Sequence, residues 1–169
     1  MVVSFGVRYL LFLVLSLVVA GDGNVRSHRL FVIELSKGTM TICYDAVTEN
    51  GRLREDEPMD IYWNFPDREE KREDLNWIEK WQAYGVDVIN RFDGLDSMDI
   101  KMKANKKKLR IVQRDGRWMA LTYVNGKVCQ LMTIYVRTDE SGFVPKVIDV
   151  TFKGRVRTTG EVVTEMLKP

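Results

Sequence analysis

From residue 59 to 65 the apolar side chains of Met59, Ile61, Trp63 and Phe65 alternate with Asp60, Tyr62 and Asn64. A period of two marks a strand with one buried face. The same alternation sets Met98, Ile100 and Met102 against Asp99, Lys101 and Lys103, and Ile148, Val150 and Phe152 against Asp149, Thr151 and Lys153. Phe31, Ile33 and Leu35, then Met40, Ile42 and Tyr44, predict two early strands joined through Ser36-Lys37-Gly38, with further strands over 86–92 and 161–167. Asp115-Gly116 and Asn125-Gly126 interrupt an otherwise apolar run. Both dipeptides tolerate the positive φ of a two-residue hairpin loop, so 108–114, 117–124 and 127–137 are predicted to form an antiparallel meander.

Two-residue loops place Ile111 opposite Ala120 and Thr122 opposite Cys129. One face of the meander then carries Leu109, Ile111, Trp118, Ala120, Val124, Cys129 and Leu131. The other carries Val112, Met119, Leu121, Tyr123, Val128, Met132 and Ile134. Since neither face is polar, both are expected to be covered, by a second sheet, a helix or a partner.

The period changes within PMDIYWNFPDREEKREDLNWIEKWQAYGV, residues 58–86, which holds three of the four tryptophans. Leu75, Ile78 and Trp81, flanked by Trp77 and Tyr84, recur at three- and four-residue steps, as on one helical face. Asp67 with Glu70 has the spacing of a capping box, and Gly85 stands where a helix-ending glycine belongs. A helix over about 68–84 packed on about nine strands makes the fold mainly β, an antiparallel β-sandwich or partly open barrel.

The N-terminus changes the setting. Arg8 precedes an apolar run from Leu10 to Ala20 that closes on small or branched residues, the pattern of a secretory signal peptide over 1–20. The run is short for a bilayer span, which needs about 20 apolar residues. The mature chain, 21–169, is therefore expected to be one β-rich domain exported to the periplasm or the cell exterior, without a membrane span. Without Arg8 it carries 25 Lys plus Arg against 24 Asp plus Glu, a balance that argues against a nucleic-acid partner.

Candidate chemistry is sparse. His28 is the single histidine, and Cys43 and Cys129 form no CxxC pair, so neither a zinc site nor a cofactor is expected. The acidic loop DGLDSMD at 93–99 is a weak calcium candidate. Serine catalysis lacks a GxSxG elbow. In an oxidising compartment Cys43 and Cys129 are a candidate disulfide worth about 4–5 kcal/mol on the chain-entropy model, provided their Cα atoms lie within about 7 Å. Paired carboxylates remain for hydrolysis, with Glu34, Asp45 and Asp60, on strands among apolar neighbours, as weak catalytic candidates. The basic run KMKANKKKLR at 101–110 reads as a solvated hairpin tip around Asn105, Lys106 and Lys107.

The aromatics admit two readings. Trp63, Trp77 and Trp81 at strand and helix spacing are expected in the core. Alternatively, aromatic rings stack on sugars and other flat faces, and Tyr62, Arg72, Glu73, Trp77 and Tyr84 form a candidate ligand-binding set. Tyr62 and Tyr84, which fall off the main apolar stripes, are its strongest members.

HRLFVIELSKGTMTICYDAVTENGRL, EPMDIYWNF, REDLNWIEKWQAYGV, LMTIYVRTD, VPKVIDVTFKG and TGEVVTEMLKP occur in this order. From about His28 to Pro169 the chain resembles a family of small exported bacterial proteins, the domain of unknown function DUF4833. The resemblance implies export and a single domain, and brings no activity and no catalytic residues. These observations favour a binding or envelope-associated module that recognises a glycan, a peptide or an envelope protein over an enzyme. A carboxylate-dependent hydrolase of an envelope polysaccharide and a structural protein-interaction module are the alternatives.

Overall fold

A computed structural model describes residues 24–69, 71–139, 141 and 146–168; the expected signal peptide lies outside them. Twelve strands share one sheet. They are β1 (Val25–Leu35), β2 (Thr41–Glu49), β3 (Arg52–Leu53), β4 (Met59–Phe65), β5 (Lys71–Asp74), β6 (Val86–Arg91), β7 (Ser97–Met102), β8 (Lys108–Arg114), β9 (Arg117–Val124), β10 (Lys127–Asp139), β11 (Lys146–Val156) and β12 (Val162–Leu167). Nine of them run β5-β4-β2-β1-β10-β9-β8-β7-β6 and curl into a half-barrel. The mainly β, partly open expectation holds.

The meander forms as its turns dictate. Asp115, Gly116, Asn125 and Gly126 all have positive φ, as a type I′ turn requires at both central residues. Arg114 therefore pairs with Arg117, Ile111 with Ala120, and Thr122 with Cys129. Leu109, Ile111, Trp118, Ala120, Val124, Cys129 and Leu131 are all buried in the half-barrel core.

The second face departs from expectation in two ways. A β-bulge between Leu131 and Thr133 inserts one residue and reverses the alternation beyond it, turning Ile134 into the core. The remaining residues are covered only in part: Tyr123 and Val128 are exposed, and Leu121 and Met132 half-buried. Val112 and Met119 are buried, with the Arg157 guanidinium donating to Met119 Sδ over 3.2 Å, so at Met119 a long cationic side chain does part of the covering.

One pairing among the described strands is parallel, which the antiparallel expectation did not include: Val32 to Leu35 of β1 lie beside Thr133 to Val136 of β10. β9 leaves that edge of β10 after Gln130, and β1 takes it over. The opposite edge carries β11 and then β12. Gly154 lets β11 pass closely there, because a Cβ at this position would sit 2.7 Å from that of Cys129.

The helix expected over 68–84 is corrected. Residues 71–74 are strand β5, paired to β4, and helical structure covers only 77–83, ending in a π-helical turn over Glu79–Ala83. Asp67 lies in a short 3-10 turn without a side-chain cap, and Glu70 is outside the described residues. The true cap is Asn76 with Glu79. Asn76 N–H donates to Glu79 Oε2 over 2.8 Å, and Glu79 N–H to Asn76 Oδ1 over 3.0 Å, a capping box with asparagine in the leading position.

Candidate functional site

β5 and β6 are the two ends of the nine-strand path, so residues 75–85 that join them form a strap across the mouth of the half-barrel. The strap is anchored from inside. Leu75 is buried in the core; the ring of Tyr84 packs edge-on against Trp63 at 5.5 Å; Tyr44 OH donates to Tyr84 C=O over 2.6 Å. Trp63 Nε1 donates to Glu79 Oε1 over 3.3 Å, and Lys103 N–H donates to Gly85 C=O over 3.0 Å. Gly85 is needed for closeness and not for a left-handed turn: a Cβ there would lie 1.7 Å from Lys80 C=O.

This anchoring leaves the other side of the strap to solvent. Trp77 is 74% and Trp81 63% exposed. The core reading is thus overturned for both, while Trp63, half-buried against the core, keeps it. A seven-residue helix cannot bury an entire aromatic face, and Leu75 and Tyr84 on its flanks take the inward places.

Trp77 and Trp81 line an open cleft of about 460 Å3 between the strap, the start of β4 and β6. Asp56 and Glu57 bring acidic residues to its lining, Lys80 and Lys103 basic ones, and Val86 and Val88 apolar surface, while Asp60 borders it with its carboxylate held by Arg72. The cleft's β4 wall lies beyond β5, which pairs with β4 only from Tyr62 to Phe65. Further along the gap, Arg91 Nη1 donates to Glu55 C=O, so strap and arginine hold the two edges at a fixed separation. Hydrogen bonds donated by Glu57 N–H and by the Arg54 guanidinium hold the exposed Asp56 carboxyl below the usual range.

The five residues expected to bind ligand do not converge. Tyr62 and Tyr84 lie on opposite faces, because Tyr62 alternates along β4 with the Trp63 that Tyr84 touches. On the outer face Arg72 lies 3.9 Å above the Tyr62 ring and donates to Asp60 over 2.8 Å. Tyr62 OH donates to the buried Asp45 over 3.0 Å and accepts from Arg29 Nη2 over 2.8 Å. Arg29 also pairs with Asp45, to which Ser27 Oγ donates over 3.1 Å. Burial pushes the Tyr62 phenol up, with the Asp45 charge adding to it. Glu73 is half-buried and paired with Lys71 at 2.6 Å; Trp77 alone of the five lines the cleft. Of the catalytic candidates, Glu34 is exposed on β1, and Asp45 and Asp60 face each other in register, each engaged by a guanidinium.

The candidate disulfide is also corrected: Cys43 and Cys129 are both free and buried. β1 lies between their strands, and at about 4.8 Å per strand two spacings exceed the reach of a disulfide. Among the described residues no three carboxylate, thiol or imidazole groups gather as a metal site, and no helix is long and apolar enough to cross a membrane. The basic run forms the β7–β8 turn as expected, except that Lys107 is docked, its Nζ 2.8 Å from Glu165 and 4.2 Å from the Phe152 ring centre.

Sequence reasoning weighed Trp81 for a cleft but favoured the core for it, and missed Lys80, Lys103 and Val88 as cleft residues. The available signal was Asn76 three residues before Glu79, which shortens the helix and frees its outer face. No curated protein and no solved structure matches the chain. Residues 31–166 match the family described as domain of unknown function (DUF4833), and the chain belongs to that family.

Proposed function

We propose that this is an exported binding domain that recognises a glycan in the cleft under the strap. The observation that carries the reading is the pair Trp77 and Trp81, one helical turn apart and mostly exposed, beside carboxylates and ammonium groups in one open cleft. Exposed tryptophans are costly in water unless a ligand covers them. A sugar ring offers an apolar C–H face for the indoles and a rim of hydroxyls for Asp56, Glu57 and Lys80. The cleft volume lies within the roughly 300–1,000 Å3 of small-molecule sites. Export rests on the leader pattern of residues 1–20.

The test is tryptophan fluorescence titration of the mature protein with neutral and uronic-acid oligosaccharides. At least one class is expected to quench saturably, and Trp77→Ala and Trp81→Ala each to abolish that quench with circular dichroism unchanged. Absence of binding across the panel, saturable binding of extended peptides in place of sugars, or undiminished binding by both variants would overturn the proposal.

A further inference from the structure

The second open site lies on the opposite flank of the parallel junction, where β9 has left β10 and β1 has not yet joined it. This notch, about 550 Å3, is lined by His28 and Arg29 of β1, Arg114 and Arg117 around the Asp115-Gly116 turn, Trp118 and Met119 of β9, and Gln130 of β10. Arg114 and Arg117 are direct cross-strand partners, so their side chains project from the same face. Like charges in that position destabilise a hairpin. Among the described residues neither guanidinium has an ion pair or a hydrogen bond. Arg155 is the register partner of Gln130 and shares its face, and Arg157 reaches Met119. Arg29, Arg114 and Arg117 thus bring basic residues of β1, β8 and β9 to the lining of one concavity, Asp115 at the turn is the carboxylate within that lining, and Arg155 and Arg157 stand outside it next to Gln130 and Met119.

We propose that this notch binds an oxyanion of the phosphate type. Guanidinium groups present planar pairs of N–H donors that match two oxygens of a phosphate at once, and an anion between Arg114 and Arg117 converts their repulsion into a bridge. Trp118 reaches the notch from the core side of β9 as one of its lining residues, and among the described residues its buried indole N–H has no acceptor. Its fluorescence therefore reports on events in the notch, away from the strap tryptophans. The phosphate group could belong to a small solute or to a lipid headgroup, and the two sources share the same recognition chemistry.

The experiment uses inorganic phosphate against sodium chloride at matched ionic strength, with thermal unfolding and fluorescence as readouts. Because the other three tryptophans also emit, the fluorescence arm is run in a Trp77→Phe/Trp81→Phe background, which leaves the notch intact, and the signal of the remaining Trp63 on β4, outside the notch lining, is subtracted by comparison with the arginine double variant in the same background. Phosphate is expected to raise the unfolding temperature saturably where chloride does not. Arg114→Gln/Arg117→Gln is expected to weaken phosphate binding about tenfold or more while unfolding at a higher temperature than the native chain in chloride, since the paired charges no longer repel. A purely structural role for the arginines would lower that temperature instead. Co-sedimentation with vesicles containing phosphatidylglycerol, against neutral vesicles, assigns a lipid source; phosphate binding without sedimentation assigns a solute. No saturable response to phosphate, or an equal response in the double variant, overturns the proposal.

Discussion

The hydroxyl of Tyr44, on the buried face of β2, donates to the backbone carbonyl of Tyr84 over 2.6 Å. This bond ties the core to the end of the strap that carries Trp77 and Trp81. Tyr44 is fully buried and stacks on Phe31 at 4.4 Å, and burial drives its phenol pKa far upward, so it remains a donor throughout the accessible pH range. Tyr44→Phe keeps the ring stack but leaves the Tyr84 carbonyl without this donor. A loss of about 1–3 kcal/mol is expected, measured by urea unfolding, together with faster hydrogen exchange of the Lys103 amide that bonds the neighbouring Gly85.

Gly85→Ala tests the close passage of the strap. The new Cβ would meet the Lys80 carbonyl, a backbone atom, and only displacement of the strap relieves it. We expect destabilisation of about 1–3 kcal/mol and weakened ligand binding in the cleft, read by urea unfolding and by the oligosaccharide titration.

Glu79 holds the strap at two points, capping Asn76 and accepting from Trp63 Nε1. Glu79→Ala removes both contacts and should cost about 1–2 kcal/mol. The Trp63 indole N–H resonance should shift, whereas the Tyr62–Asp45 cluster on the other face should keep its spectrum.

Lys107 and Glu165 predict an acid-sensitive contact between the β7–β8 turn and β12. The hydrogen bond from Lys107 holds the Glu165 carboxyl below its usual range, and the Asn125 N–H assists. With the folded pKa below the unfolded one, the contribution is complete above the ordinary glutamate pKa of about 4.3 and is lost as pH falls through the folded value. Glu165→Gln should therefore lower stability by about 1 kcal/mol at pH 7 and make the unfolding free energy less steep with pH in the acid range. Urea unfolding at a series of pH values measures both.

The thiols give a direct count. Cys43 and Cys129 are free and buried, and burial raises the pKa of each, which lowers the thiolate fraction that reacts. A disulfide-exchange reagent should label neither within minutes in the native protein and both in denaturant, with or without prior reduction. A count that rises only after reduction would show a bridge.

What was legible in advance was local. Asp-Gly and Asn-Gly accept positive φ at low cost, which settles two turn types, and a two-residue loop leaves one register for the flanking strands. The seven core residues of the meander followed from that register alone. Ile134 did not, because the bulge between Leu131 and Thr133 lies in the pairing of β10 with β11, a tertiary register that the two hairpin turns do not set. The candidate ligand set failed for a related reason. Tyr62, Arg72, Trp77 and Tyr84 are near one another along the chain, but alternation on β4 sends Tyr62 outward while Trp63 draws Tyr84 inward.

By itself the sequence determined the strands other than β3 and β5, the hairpin turns and the face each meander residue takes before the bulge, since these depend on side-chain period and on backbone φ within a few residues. Tertiary structure decided the parallel β1–β10 junction, the direction of Trp77 and Trp81, and the gathering of arginines at the notch. Each of those depends on which distant strand edges meet when the sheet curls, and a short stretch of chain carries no record of that.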